Sequence, residues 1–323
     1  MKWPTSTVCR QLPPLHRMWA SYLRAGPRRP SGGVVGGSLF FKVLVWWGRA
    51  SKSGFLTLRD PTVPYSLTID LQDFESFNHT IDLWLYGCDE SRLIQALFGP
   101  GRVFTDVGAN LGIFSLLAAW QGGETSQVHA FEPQPRPASA IRESVRVNRF
   151  SNVTVHQTVV SDKDNESVRF FLPRIGSGVA SLSRRYTSRQ GNAEEILCPS
   201  LSLDAFFSSR PPGNVDLIKI DVEGHEALVL AGAVDTIRQF QPIIWFEINP
   251  FALKAAGLTQ IGAFRVLEDC GYADFYELGA LMSGYARRVG PEFDHLVNVV
   301  AVPPRRRQWL EFAVSEAVGP KCC

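Results

Sequence analysis

The sequence predicts an α/β protein: a doubly wound, mostly parallel sheet with helices on both faces. Three observations carry this reading. Strand-like and helix-like segments alternate from residue 102 to residue 302. The runs "VDLIKI" and "PIIWF" are apolar at nearly every position, as strands covered on both faces require. Several strand-like runs end on an acid beside Gly or Pro ("TDVG", "FEP", "DVEG"), where such a sheet turns from strand to helix.

The chain has 323 residues, 45% hydrophobic and 20% charged, enough for one main core with extensions. Of its 33 Lys and Arg, ten fall in residues 1–59, which hold no acid; the other 23 share the remainder with all 31 Asp and Glu. Residues 1–59 therefore read as a basic extension. Within it Leu15, Met18, Trp19, Tyr22 and Leu23 follow helical spacing. This predicts a short amphipathic helix that packs on the body or touches an anionic membrane surface, followed by the linker "AGPRRPSGGVVGG". No run is long enough to span a bilayer, and Pro13, Pro14, His16 and Arg17 interrupt the place of a secretory signal core. Six cysteines without a C-x-x-C pair suit a reducing compartment, so the expected location is cytoplasmic, with peripheral membrane contact confined to residues 1–59. The adjacent Cys322 and Cys323 have no assigned role.

Residues 60–101 read as a lead-in: strand-like alternation in "YSLTIDL" and "TIDLWLYG", then a helix through "DESRLIQALFG" that stops at Gly99 and Pro100. The main domain, 102–304, follows. Its pairs are "RVFTDVG" with "IFSLLAAWQ", and "QVHAFEP" with "RPASAIRESVRVNR". A third strand, "NVTVHQTVVSD", precedes the strand-like "SVRFFLP". Next come "VDLIKIDV" with one helix "HEALVLAGAVDTIRQF", "PIIWFEINP" with "IGAFRVLEDCG", and the final strands "YADFYEL" and "HLVNVVAVP". Residues 173–199 are polar and aperiodic, a candidate substrate lid in which Gly176, Gly178, Ser181 and Arg184 could order over an acceptor. Residues 305–323 form a tail in which "PPRRRQW" reads as a solvated basic turn.

The chemistry gathers at strand ends. Gly108 and Gly112 suit a turn that lets backbone approach a ligand, yet "GANLG" lacks the G-x-G-x-x-G of a dinucleotide turn. Glu132 ends the second strand, where a carboxylate can accept two hydrogen bonds from vicinal ribose hydroxyls. Asp106, Asp162 and Asp221 are expected at the ends of neighbouring strands. A lone acid is usually a cap or a solvated turn residue; four in register suit a cationic, adenosine-containing ligand.

The segments "DVGANLGIFSL", "HAFEPQP", "VVSD" and "LIKIDVEGHEALVLAGA" resemble the FkbM family of S-adenosylmethionine-dependent methyltransferases over about residues 65–302. The resemblance implies a class I methyltransferase (Rossmann-like) sheet of about seven strands, the last antiparallel. It implies Asp106, Gly108, Asn110 and Gly112 around the methionyl end of S-adenosyl-L-methionine, Glu132 on the ribose and Asp162 on the adenine amino group. Glu90 in "YGCDE" matches an acid that precedes the first motif, and Asp221 completes the expected cofactor set.

Methyl transfer to a hydroxyl needs a base, and "DVEGHE" supplies Asp221, Glu223, His225 and Glu226 at one strand-to-helix junction; His225 has the unperturbed pKa nearest neutrality, and Asp221 lies closest to the strand tip. Glu247 is the third catalytic candidate, while Trp245 and Phe246 read as core. Asp221, Glu247 and Asn249 also offer oxygen ligands to a divalent cation, but the expectation carried forward assigns no residue to a metal. The acceptor implied by the resemblance is a small-molecule or glycan hydroxyl, on a sugar or secondary metabolite, with no nucleic acid. Two other readings stay open: a nucleotide-cofactor (NAD-type) oxidoreductase, and a non-catalytic, membrane-recruited protein keeping the fold.

Overall fold

The lead-in forms a hairpin of β1 (Phe55–Leu58) and β2 (Leu67–Asp70), followed by helix α1 (Asp89–Leu97). The structure, a computed structural model, describes residues 54–318 except 74–79, 82, 86, 174–175, 189–191 and 286–287. The amphipathic helix and linker expected before residue 54, and Cys322 and Cys323, lie outside the described residues.

The main domain contains β3 (Val103–Val107), α2 (Ile113–Gly122), β4 (Gln127–Phe131), α3 (Pro135–Asn148) and β5 (Val153–His156). Then follow β6 (Val159–Val160), β7 (Ser167–Leu172), α4 (Arg184–Thr187), β8 (Glu194–Leu201) and α5 (Leu203–Ser209). The last portion comprises β9 (Leu217–Ile220), α6 (Glu226–Ala231), α7 (Val234–Phe240), β10 (Ile243–Ile248), α8 (Pro250–Ala256) and α9 (Ile261–Asp269). It closes with β11 (Asp274–Glu277), α10 (Leu278–Met282), β12 (Val297–Val302) and α11 (Arg307–Val318).

Seven strands form the central sheet in the order β11-β12-β10-β9-β3-β4-β5, and β12 alone runs antiparallel to its neighbours. This is the doubly wound class I sheet expected, with the final strand reversed. One core layer packs Trp245, Phe104 and Leu116 against α1 and α11; the other packs Phe246, Ile218 and Phe206 against α5, α7 and α9. The lead-in is tied to α3 by polar contacts: Ser144 Oγ accepts from Thr68 N–H at 2.8 Å, and Arg136 pairs with Asp70 at 2.5 Å.

Five expectations need correction. "TIDLWLYG" is helical at residues 80, 81 and 83–85: Thr80, Ile81 and Trp84 are buried, a helical face that the same apolar residues also satisfy as alternation. "NVTVHQTVVSD" is two strands, because the backbone leaves the main sheet after His156. Val159 and Val160 then pair with Ser200 and Leu201 of β8 in a three-stranded sheet, β6-β8-β7. "HEALVLAGAVDTIRQF" breaks into α6 and α7 at Gly232, where an added Cβ would lie 2.1 Å from the Ser161 carbonyl oxygen. Asp204 caps the second helix by accepting from Asp235 and Thr236 N–H at 3.0 and 2.7 Å. The lid read over 173–199 ends in strand β8, so only residues up to 193 lie outside sheet.

The basic turn of the tail is likewise not solvated at Arg306. That side chain is largely covered, pairs with Asp216 at 3.1 Å and donates to the Phe240 and Gln241 carbonyls, while Leu310 and Val314 of α11 join the core. Among the described residues no helix is long and apolar enough to cross a membrane.

Candidate functional site

The site is built on side chains that share one face of the sheet. Register aligns Asp106 of β3 with Lys219 of β9, and Lys219 with Trp245 of β10. Side chains alternate across a strand, so Gly108, Asp221 and Glu247 follow one step higher on the same face, at the carboxyl ends of the parallel strands.

Asp106 does not reach the rim. It is 0% exposed, accepts from Ser115 Oγ at 2.6 Å and pairs with the Lys219 ammonium at 3.3 Å. The expectation that Asp106 touches a ligand is therefore corrected: it supports the site from below. Lys219, 3% exposed, donates to the Gly108 carbonyl at 2.8 Å and contacts Asp221 at 3.3 Å. Burial pulls the ammonium pKa down, but Asp221 and Asp106 outweigh it and hold the group charged. One buried cation thus fixes the glycine turn to the neighbouring strand end.

The turn itself is dictated by space. Gly108 has φ +76°, and an added Cβ would sit 1.8 Å from the Asp221 carbonyl oxygen. Gly112, at φ +77°, leads into α2 against Ile141, and Asn110 between them has φ +49°. This bend turns the Asn110 N–H toward Glu132.

Glu132 follows β4, and its two oxygens accept from Asn110 N–H at 2.8 Å and Gln134 N–H at 2.9 Å. Burial raises its pKa to about 7, with these N–H groups and Lys219 opposing the rise. The carboxylate faces a pocket shared with Gly108, Asn110, Gln134, Val159 and His225. Asp162 is not brought to this pocket: it lies exposed beyond β6, accepting from Ser161 Oγ at 2.9 Å. Its displacement follows from the departure of the chain from the main sheet at His156.

Residues 176–188 cross the pocket. Ser177 donates through Oγ to Asn110 Oδ1 at 2.9 Å and accepts at its carbonyl from Gln134 Nε2 at 3.1 Å. Ser181 Oγ donates to the Glu223 carbonyl at 3.0 Å and lies 3.5 Å from His225 Nδ1. The Tyr186 hydroxyl accepts from Asn249 Nδ2 at 3.1 Å, whereas Arg184 is exposed.

Beside this crossing, Asp221, Glu223 and Glu247 bring carboxylate oxygens within 4.8 Å of one another. Glu223 occupies the left-handed region at φ +56°, strained for a residue with a Cβ. Its conformation is held by buried Glu226, whose Oε1 accepts from Val222 and Gly224 N–H at 3.3 and 3.0 Å. His225 is buried at the start of α6, and burial lowers its pKa, opposed by a hydrogen bond with the Glu223 backbone. Asn249 is brought to Glu223, donating at 3.2 Å, while its Oδ1 caps α8 by accepting from Ala252 N–H.

Glu90 is apart from the glycine turn. Its carboxylate accepts from Asn298 Nδ2 at 2.8 Å, and Asn298 Oδ1 accepts from Trp245 Nε1 at 3.0 Å. Glu90 and Asn298 line a second cavity of about 750 Å³, with Tyr65, Trp84, Glu277 and His295 around it.

Sequence reasoning missed Lys219, Tyr186 and Asn298. Lys219 alone left a signal, a single cation inside the apolar strand "LIKI".

Residues 106–273, which contain the glycine turn, Glu132 and the carboxylate cluster, match the Methyltransferase FkbM domain. The chain belongs to the FkbM methyltransferase family. Over 160 residues this FkbM-family chain is 32% identical to the 31-O-demethyl-FK506 methyltransferase FkbM of Streptomyces tacrolimicus, covering 42% of this chain and 61% of that protein. It is 27% identical over 158 residues to the 2-O-methyltransferase NoeI of Sinorhizobium fredii, covering 45% of this chain and 63% of the relative. The alignments thus span about three-fifths of these relatives' lengths. Among solved structures, the FkbM methyltransferase of Methylobacillus flagellatus aligns with a TM-score of 0.39 at 13% identity, over 81% of this chain and 57% of that one. The oxidoreductase and non-catalytic alternatives gain no support from these matches.

Proposed function

We propose that this chain transfers a methyl group from S-adenosylmethionine to a hydroxyl of a small-molecule or glycan acceptor. The observation that carries the reading is Glu132. Its oxygens are oriented by two backbone N–H groups at the carboxyl end of β4, beside a turn shaped by Gly108 and Gly112. The remaining lone pairs suit two adjacent ribose hydroxyls, and apolar Phe131 and Val159 suit a nucleoside base. The residues therefore fit the cofactor, while Asp162, expected at the adenine, does not line this pocket.

When bound, S-adenosylmethionine would supply an electrophilic methyl carbon on a cationic sulfur. The chain's part is to hold Glu132 and Gly108 rigid, exclude water with residues 176–188, and align the acceptor oxygen. The cofactor so held would give up its methyl to the acceptor oxygen, with the C–S electron pair staying on sulfur. The acceptor's proton needs a base, for which His225, Asp221 and Glu247 are the candidates. The acceptor class rests on the relatives named as O-methyltransferases, FkbM and NoeI.

Calorimetric titration with S-adenosylhomocysteine tests this reading. Wild-type protein should bind at micromolar level, and Glu132→Gln should lose about 2–3 kcal/mol, roughly 30- to 150-fold in affinity. Equal affinity in the two proteins would remove the cofactor site from Glu132.

The raised pKa of Glu132 adds a pH dependence. A carboxyl held near 7 when folded, against 4.5 as the ordinary value, contributes stability below 4.5 that is lost as pH rises through 7. Ribose hydroxyls donate to the ionised form, so wild-type affinity should rise between pH 6 and pH 8. Glu132→Gln should show a flatter profile over that range.

A further inference from the structure

We infer that Asp221, Glu223 and Glu247 form a binding site for a divalent cation, which holds the acceptor hydroxyl beside the transferred methyl. The three carboxylates come from two adjacent strand ends and their oxygens lie within 4.8 Å of one another, close enough to share one ion. Carboxylates packed this closely repel unless a positive charge or a proton lies between them.

The nearest cation does not fill that need. The Lys219 ammonium donates to the Gly108 carbonyl and pairs by charge with Asp106 and Asp221, each at 3.3 Å, and the described contacts include none to Glu223 or Glu247. Glu247 Oε2 is shut off from solvent, yet has no hydrogen-bond partner. A buried acceptor left without a donor is costly, and a cation at the cluster would satisfy it. Asp221 stands at the opposite limit, its side chain 36% exposed, giving an ion a route in and free coordination positions on the solvent side.

An all-oxygen, all-carboxylate set selects a hard ion: Mg²⁺, Mn²⁺ or Ca²⁺. Asn249 is not a ligand as oriented, because its Oδ1 caps α8 and its Nδ2 points to Glu223 and Tyr186. Instead it fixes the Glu223 carboxylate, and the left-handed backbone at Glu223 brings that side chain to the cluster.

The ion's role deepens the methyl-transfer reading and rests on it; the binding itself does not. With the ion in place the acceptor oxygen becomes a ligand and its O–H more acidic. The proton passes to a water on the solvent side of the ion, where Asp221 is partly exposed, the oxygen lone pair forms the bond to the methyl carbon, and the C–S electron pair remains on sulfur. The carboxylates then act as ligands, and water takes the place of a protein base.

The test is Mn²⁺ titration of the full chain followed by electron paramagnetic resonance, with Mg²⁺ and Ca²⁺ as competitors, in the presence and absence of S-adenosylhomocysteine. One Mn²⁺ per chain is expected, with affinity lowered at least tenfold in Glu247→Gln and in Asp221→Asn. Glu247→Gln should melt no lower than wild type in metal-free buffer, since it relieves repulsion, and should lose the rise in melting temperature that Mn²⁺ gives the wild type. Absence of Mn²⁺ binding by folded wild type at millimolar concentration in both conditions, or undiminished binding by both variants, overturns the inference. S-adenosylhomocysteine binding measured without metal reports on the cofactor reading separately, so either idea can fail alone.

Discussion

Gly108→Ala is expected to cost roughly 3–5 kcal/mol of stability and to abolish measurable cofactor binding, combining left-handed backbone strain with overpacking. The added methyl would enter the space of the Asp221 carbonyl, 1.8 Å away, and backbone on either side must move to admit it. That movement separates the strand ends which Lys219 holds together. Gly101 is the internal control: it has nearly the same backbone angle, φ +75° against +76°, but nothing within 4 Å of an added Cβ. Gly101→Ala should cost only about 1 kcal/mol, the left-handed penalty alone. Urea unfolding of both variants decides the matter. Equal losses would mean that the close approach to Asp221 is easily relaxed.

The second large effect is at Lys219. Lys219→Met should destabilise by about 3–5 kcal/mol, because Asp106 is left charged, buried and without its ammonium partner. Asp106→Asn combined with Lys219→Met should recover part of the stability, since an amide can still accept from Ser115 Oγ. Cofactor affinity should fall in Lys219→Met even under conditions where the variant is folded, because the Gly108 carbonyl loses its donor. A variant as stable as wild type at neutral pH would show that Asp106 is satisfied without Lys219.

The parts of the molecule that could be read from sequence are those whose cause is local. A β-strand followed by "GANLG" encodes its own bend, and alternating strands and helices encode the sheet through short-range periodicity. Glu132 was legible because its place, one residue past an apolar strand, sets its surroundings. Asp106 misled for the same reason: it lies near a strand end, but the group that claims it, Lys219, comes from a strand more than 100 residues later.

Glu223 was named among the acids of "DVEGHE" but not singled out, because its value depends on Glu247, which arrives from another strand, and on a backbone conformation that its residue type disfavours. The division of "NVTVHQTVVSD" was hidden because β-branched residues continue through the break. Only pairing with β8 reveals where one sheet stops and the other begins. The displacement of Asp162 follows from that division.

One stretch of chain, residues 176–188, meets Asn110 and Gln134 through Ser177 at one end and Asn249 through Tyr186 at the other. On the methyl-transfer reading, spent cofactor and methylated product would lie behind the same barrier. Their departures are then linked, and the slow event of a catalytic cycle is a conformational excursion rather than bond exchange. Turnover at saturating substrate should therefore decline as solvent viscosity is raised, and substituting a heavier methyl isotope should leave it almost unchanged.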